Sequence, residues 1–439
     1  ESLLGAIASV KPQLTASLLR DWLSSVVQEE RSHGGPCPGL SAAGEQPAGS
    51  EVLLSRWTGS AVMSAIGLIM FEMRNVMDIA PLVDLVANQV QTIVNACGSA
   101  GVSSLTFEAA PQAVTTLQRA VWLAGHFVDV VDSATVERLS ALVVCLTQVA
   151  DPVIRLCAVE ALKSYVDSVH MEAIVDNFTA QRDGQQSFME FSIKNLLTLC
   201  AECREFESKE KVLTCVRLIV EGVRDRVGPV VPALMEALPV LWEKAADEKL
   251  LRQSIVLTLT AMTVSLRGRS QIMIDVLMPV VSFSTDINNT EAASLLPHGL
   301  ELWRAVVFNC VSLTPALVEL FQHWIQMYRE YEDDFEVGVE VLQGYIIAGK
   351  VDFLTRYGGV LGPVLLSLMT RLGEDNLQLL LNALEFIAQV APALMVQHLQ
   401  PLLAEALKSI QNAVLNGDDA LSTTTIAMYY QIFSHLLIH

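Results

Sequence analysis

Cys200 and Cys203 are separated by two residues, a spacing that can offer two thiolates to one tetrahedral metal ion. A closed zinc site needs two further ligands. No second Cys-x-x-Cys or paired His follows at a suitable distance, and Cys215 stands alone twelve residues on. The cysteines at 37, 97, 145, 157, 200, 203, 215 and 310 mostly lie in apolar helical patterns, where a free thiol behaves as a small hydrophobe. Reduced structural thiols of this kind suit the cytosol or nucleus. The eight histidines are scattered, with no HExxH, Ser-His-Asp or Cys-His arrangement, and no phosphate-cradling Gly-rich loop occurs. His126 and His298 read as structural or solvent-facing. The residues therefore point to a non-enzymatic protein with no cofactor and no metal site.

The strongest charged feature is REYEDDFEVGVE at 329–340, six acids against one Arg. Glu330, Glu332, Asp333, Asp334 and Glu336 could present a carboxylate surface to a basic partner. The competing reading is that they cap the helix starting near 333, where carboxylates favour the helix dipole, and otherwise sit in solvent. Over the whole chain 28 Lys and Arg face 48 Asp and Glu, a net charge of −20. That balance argues against binding a nucleic-acid backbone, which calls for a basic patch. It favours attraction of basic partners and solubility.

The elements that must carry these residues are helices. Apolar residues recur at helical spacing almost throughout, and no sustained period-two strand pattern appears. Helices are expected at 13–30, 52–77, 81–97, 111–131, 134–149, 151–168, 186–203, 208–225, 229–245, 248–265, 269–283, 291–310, 314–329, 333–347, 350–356, 360–371, 375–390, 393–415 and 419–437. Although 52% of the residues are hydrophobic, the long uncharged runs 85–107 and 386–404 are interrupted by polar residues or Pro, so no membrane insertion is expected. The stretch 31–50, rich in Gly, Pro, Ser and Ala, reads as a flexible loop, and 97–111 as a milder one. The helical pattern resumes unchanged after both, so residues 1–439 are expected to form a single array. The chain opens on Glu1 without a signal-peptide n-region, as expected of a processed product or a fragment.

Helix pairs 134–149/151–168, 186–203/208–225, 229–245/248–265 and 269–283/291–310 recur near the 40-to-47-residue period, roughly, of HEAT and armadillo units. Asp151-Pro152, with Arg155 one turn on and Ala158, Ala161 and Leu162 following, is the clearest unit; Asp247 with Arg252 is the next. Asp can cap orphan N–H groups, Pro suits the first helical position, and the alanines let a neighbouring helix approach. Asp151, Arg155, Asp247 and Arg252 are expected to align one unit on the next. The stretch ADPVIRLCAVEALKSYVD at 150–167 resembles the HEAT signature. The fold class is accordingly read as all-α, an α-solenoid of about nine to ten degenerate HEAT repeats.

Further along, LPVLWEKA at 238–245, Leu251-Arg252, LMPVVSFSTD at 277–286, HGLELW at 298–303, GYIIAG at 344–349 and DFLTRYG at 352–358 occur in order. With the 151–167 unit they resemble the middle and C-terminal part of an importin-β-type karyopherin, most similar to the importin-eleven branch. The resemblance covers residues 135–370. It implies a nuclear transport receptor that carries protein cargo, basic cargo included, on a concave superhelical surface. It further implies Ran GTPase and Phe-Gly nucleoporins as partners, import as the expected direction, and shuttling between nucleus and cytoplasm through the pores. The N-terminal repeats that carry the family's main Ran-binding signature are not recognisable in this sequence. A HEAT scaffold organising a multiprotein complex and an exportin-type receptor are the alternatives. The ordered segments weigh against a generic scaffold.

Overall fold

A computed structural model of the chain describes residues 83–84, 86–88, 90–91, 111–181, 186–330, 333–415 and 421–438. The expected helices at 13–30 and 52–77 and the expected loop at 31–50 lie outside the described residues, as does the expected loop at 97–111 except for Pro111, which begins a helix. Every regular element among the described residues is helical. The chain divides into two compact units, Glu1–Ala237 and Leu238–His439.

The first unit contains α1 (Pro111–His126), α2 (Ser133–Leu146), α3 (Pro152–Val166), α4 (Met171–Thr179), α5 (Phe188–Glu202) and α6 (Phe206–Val223). Helices α2, α3 and α5 begin where side chains satisfy the orphan N–H groups. The Asp132 carboxylate accepts from the Thr135 amide at 2.8 Å. Asp151 accepts from Val153 and Ile154 at 2.9 and 3.1 Å, with Pro152 at the first helical position. Ser187 and Glu190 form a reciprocal capping box at the start of α5. The second helices of successive pairs stack as a row: α1 packs on α3, and α3 on α6, while α2 and α5 cover α3 and α6 from one side. Val159, Leu162, Tyr165, Val216 and Ile219 fill this seam with no exposure.

Helix α7 (Val231–Lys244) contains the boundary between the units. The second unit continues with α8 (Lys249–Leu266), α9 (Ile274–Ser284), α10 (Leu296–Asn309), α11 (Pro315–Glu330), α12 (Phe335–Arg371), α13 (Glu374–Val390), α14 (Pro392–His398), α15 (Gln400–Leu415) and α16 (Thr423–Ile438). The same stacking recurs: α8 packs on α10, α10 on α12, α12 on α13, and α13 on α16, with α9 and α11 covering α10 and α12. Among the described residues of each unit one packing step repeats and no strand occurs, the pattern of an all-α solenoid.

Several expectations about element bounds change, α1 ending at His126 and α10 beginning at Leu296 among them. Helix α4 was not expected; at nine residues, with no side-chain cap bond at His170, it gives only a short periodic signal. Segments 333–347, 350–356 and 360–371 form one element, α12, broken only at Lys350. The Gly358-Gly359 pair does not end a helix. A Cβ at Gly358 would lie 2.9 Å from the His398 ring, so this glycine permits close approach of α14. Segment 393–415 is two helices that part at Leu399. Helices α7 and α9 start later than expected, because residues Arg224–Val230 and Arg267–Met273 form 3-10 turns ahead of them.

No single helix among the described residues is long and apolar enough to cross a membrane. The one pair that passes on composition, Glu374–Val390 with Pro392–His398, is bent by 119°.

Candidate functional site: the acidic turn and its aromatic support

The acidic run falls on the turn between α11 and α12. Asp333 and Asp334 are exposed, as is Glu336 in the first turn of α12. Glu332 and the side chain of Glu330 lie outside the described residues. Asp334 has φ 50° and ψ 34°, the left-handed region that Asp tolerates better than most side chains, and its carboxylate makes no cap bond. It caps with its backbone instead: the Asp334 carbonyl accepts from the Gly338 amide at 3.1 Å and from the Tyr328 hydroxyl at 3.2 Å. The capping reading of these side chains therefore does not describe Asp334.

A block of aromatic side chains fixes this turn from beneath. Trp324 and Tyr328 on α11 are fully buried, and Phe335 packs edge-on to Tyr328 with ring centroids 5.7 Å apart. The Trp324 indole N–H donates to the Gly338 carbonyl at 2.8 Å. Tyr328 fits only because residue 338 is Gly. An added Cβ would overlap the Tyr328 hydroxyl and sit 2.6 Å from its Cε2. Burial pushes the Tyr328 phenol well above its usual range, and the charges of Asp334 and Asp333 push it the same way, so it stays a neutral donor. The block continues through Phe321, stacked on Trp324 with centroids 5.3 Å apart, to Tyr345, Phe353 and Tyr357. Each polar tip has an acceptor. Trp303 donates to the Tyr345 hydroxyl at 3.0 Å, Tyr345 to the Leu317 carbonyl at 2.6 Å, and Tyr357 to the Val318 carbonyl at 2.6 Å. Buried polar groups left without partners would cost free energy, so these bonds specify one arrangement of α10, α11 and α12. The Asp333, Asp334 and Glu336 carboxylates are thus exposed on a turn that is fixed from beneath.

The four residues expected to align neighbouring units have separate fates. Asp151 caps α3, as above, and is buried. Arg155 pairs with Glu202 at the C-terminal end of α5, with 13% of its side chain exposed against 55% for the carboxylate. Asp247 is exposed in the turn before α8, and the cap position is Glu248, one residue later. The capping role proposed for Asp247 fails because the helix begins at Lys249. Arg252 lies with its guanidinium 4.8 Å from the Trp242 ring centroid and 4.6 Å from that of Phe283, against both rings of an edge-to-face pair whose centroids are 5.6 Å apart, a cation–π cluster joining α7, α8 and α9. Sequence spacing pointed to Arg252 but not to its aromatic partners, which lie ten residues before and thirty-one after it.

Cys200 is buried, and burial pushes its thiol up to about 12, away from the thiolate that a metal requires. Among the described residues no group of three or more His, Cys, Asp or Glu could hold a metal ion.

Residues 253–439 match the family described as Importin-11-like, TPR repeats. Over 294 residues, 67% of this chain, the sequence is 26% identical to importin-11 of Homo sapiens, of which the match covers 29%. The chain thus spans under a third of that relative's length. The fold resembles that of Lph2 from S. cerevisiae, described as a bidirectional nuclear transport receptor. The TM-score is 0.74 at 17% identity, covering 94% of this chain and 40% of Lph2. A structure of Kap95p bound to RanGDP covers 99% of this chain and 47% of its own, with a TM-score of 0.63 at 13% identity. The importin-eleven resemblance read from the ordered segments stands, and the family matching residues 253–439 describes its repeats as TPR.

Proposed function

We propose that this chain is a section of a nuclear transport receptor that binds protein cargo and works with Ran and Phe-Gly nucleoporins, with import as its direction. The observation that carries the proposal is the similarity to importin-11 over two thirds of the chain. The likeness to Lph2 and Kap95p supports the fold through which such a receptor would act. The expected location is shuttling between nucleus and cytoplasm. The array is taken to run on through residues 1–439 as a single domain.

Within this reading the α11–α12 turn is the contact for basic cargo. Asp333, Asp334 and Glu336 are exposed, and the aromatic block beneath them limits the entropy lost on binding. Glu330 and Glu332 belong to the same acidic run. Asp151, Arg155 and Arg252 tie helices together and do not meet cargo, which leaves Asp247 as a solvent-facing turn residue. No catalytic step is assigned to any residue.

Titration of the chain with a Lys- and Arg-rich peptide at low salt tests the cargo contact. Asp333→Lys with Asp334→Lys should weaken binding several-fold, and an unchanged affinity removes this turn from the proposal. Binding of Ran in its GTP and GDP forms, with and without cargo, tests the transport role. Release of cargo by Ran-GTP fits an importer, and cooperative binding fits an exporter. Binding indifferent to the nucleotide favours the scaffold alternative.

A further inference from the structure

At three helix-to-helix turns the chain passes through φ near +50° with ψ near −130°, a conformation that Gly adopts at far lower cost than other residues. None of the three is Gly. They are Arg224 (φ 53°, ψ −127°), Arg267 (φ 51°, ψ −133°) and Lys350 (φ 45°, ψ −131°), each directly after a second helix of a pair. Arg224, in the first unit, has Glu172 at 3.9 Å. Arg267 and Lys350, both exposed and both in the second unit, make no ion pair among the described residues. A strained backbone that keeps an unpaired cation in place of Gly calls for a use of the charge.

Exposed apolar side chains stand beside these cations. Val264 lies three residues before Arg267, and Ile347 three residues before Lys350. On the helix between them Phe308 is exposed, and Val311 follows two residues past the end of that helix. Their exposures are 54%, 45% and 48%, and Val311 and Val351 are exposed to 75% and 49%. They share one edge of the unit. Helix α10 packs between α8 and α12. A Cβ built on Gly268 would lie 3.8 Å from Val311, and one on Gly344 would lie 3.7 Å from the Phe308 ring. The carboxylates on the same turns are Asp275 and Asp352, so the edge is not acidic although the chain carries −20.

We infer that this edge, formed by Val264, Phe308, Val311 and Ile347 with Arg267 and Lys350, docks an acidic amphipathic helix of a partner protein. Packed helices lie about 8–10 Å apart, and residues seven apart on a helix are separated by about 10 Å along its axis. A helix laid across α8, α10 and α12 would therefore set apolar residues of a heptad onto Val264, Phe308 and Ile347 in turn. Its acidic flank would meet Arg267 and Lys350. The chain's net negative charge disfavours an anionic lipid surface as the occupant. This surface is separate from the acidic turn, and its partner has the opposite charge, so it stands or falls independently of the transport reading.

The probe is a fluorescein-labelled peptide of about 18 residues, helical, with Leu at every seventh position and Glu on the flank. It is titrated into the full chain and followed by anisotropy. Affinity should fall about tenfold or more in Phe308→Ser/Ile347→Ser, and likewise in Arg267→Gly/Lys350→Gly, with salt weakening the wild-type complex. The glycine variant should keep or raise the thermal midpoint, since Gly relieves the strained φ. Loss of binding with an unaltered midpoint therefore cannot be ascribed to misfolding. Leu407→Ser, an exposed apolar position elsewhere in the unit, should leave binding intact. Equal binding by all variants, or equal binding of a Lys-for-Glu peptide, would overturn the inference. So would a preference for phosphatidylserine vesicles over the peptide that the same substitutions abolish.

Discussion

Replacing Gly338 by Ala tests whether the aromatic block holds the acidic turn. In an exposed helix this change normally stabilises by about 0.5–1 kcal/mol, because Gly loses more conformational entropy on folding. Here the new methyl would overlap the Tyr328 hydroxyl and lie 2.6 Å from its Cε2. Tyr328 has no room to retreat: it is fully buried, with Trp324 on one side at 4.9 Å between centroids and Phe335 on another. Overpacking of this kind costs about 1–3 kcal/mol. Displacing the ring also breaks the bond from its hydroxyl to the Asp334 carbonyl, worth about 1 kcal/mol. With the helix-propensity gain subtracted, the net loss is about 1–3 kcal/mol. Gly359→Ala is the matched control. It lies in the same helix, is exposed, and its nearest neighbour is the His398 ring at 4.0 Å, so it should stabilise or be neutral. Urea denaturation of both variants compares the midpoints, and hydrogen exchange over residues 324–342 localises the effect, since a repeat array need not unfold in one step. If Gly338→Ala matches Gly359→Ala in midpoint and protection, the packing of Tyr328 on α12 is wrong and the acidic turn is not preorganised. A Tyr328→Ala background should remove most of the Gly338→Ala penalty, which identifies the ring as its source.

Asp151→Ala should cost about 1 kcal/mol by removing the cap of α3, whereas Asp247→Ala should stay within about 0.5 kcal/mol, as expected of an exposed non-capping residue; paired denaturation curves decide. Arg155→Ala should destabilise more than Glu202→Gln, because the Arg stem is largely buried and the carboxylate is half exposed, and equal effects would refute that asymmetry. Tyr165→Phe should stabilise by about 1 kcal/mol, since the buried hydroxyl of Tyr165 has no hydrogen-bond partner among the described residues. Burial holds His323 below its usual range, with the Asp286 charge opposing, so the unfolded chain takes up its proton first as pH falls. The stability contributed by neutral His323 is therefore complete above the unfolded value near 6.5 and is lost as pH drops below it. The thermal midpoint of the wild type should fall more steeply from pH 7 to pH 5 than that of His323→Gln.

Helical periodicity and Asp151-Pro152 announced their helices because caps and faces are local: the groups that satisfy one another lie within a turn. The order of the karyopherin-like segments was legible for a related reason, since each is the apolar face of one helix and the array adds one helix pair at a time. Asp247 was misread because its capping role depended on a helix starting one residue earlier, a difference in backbone dihedrals that composition does not reveal. Residue types and spacing thus determined an all-α chain of stacked hairpins, its net charge, its acidic run and the resemblance it carries. Only tertiary structure decided that Arg155 meets Glu202, that Arg252 lies against both Trp242 and Phe283, and that Tyr328 fills the space left by Gly338. It also decided which apolar residues stay exposed beside Arg267 and Lys350. Those contacts join different helices, and whether they form depends on how the helices stack.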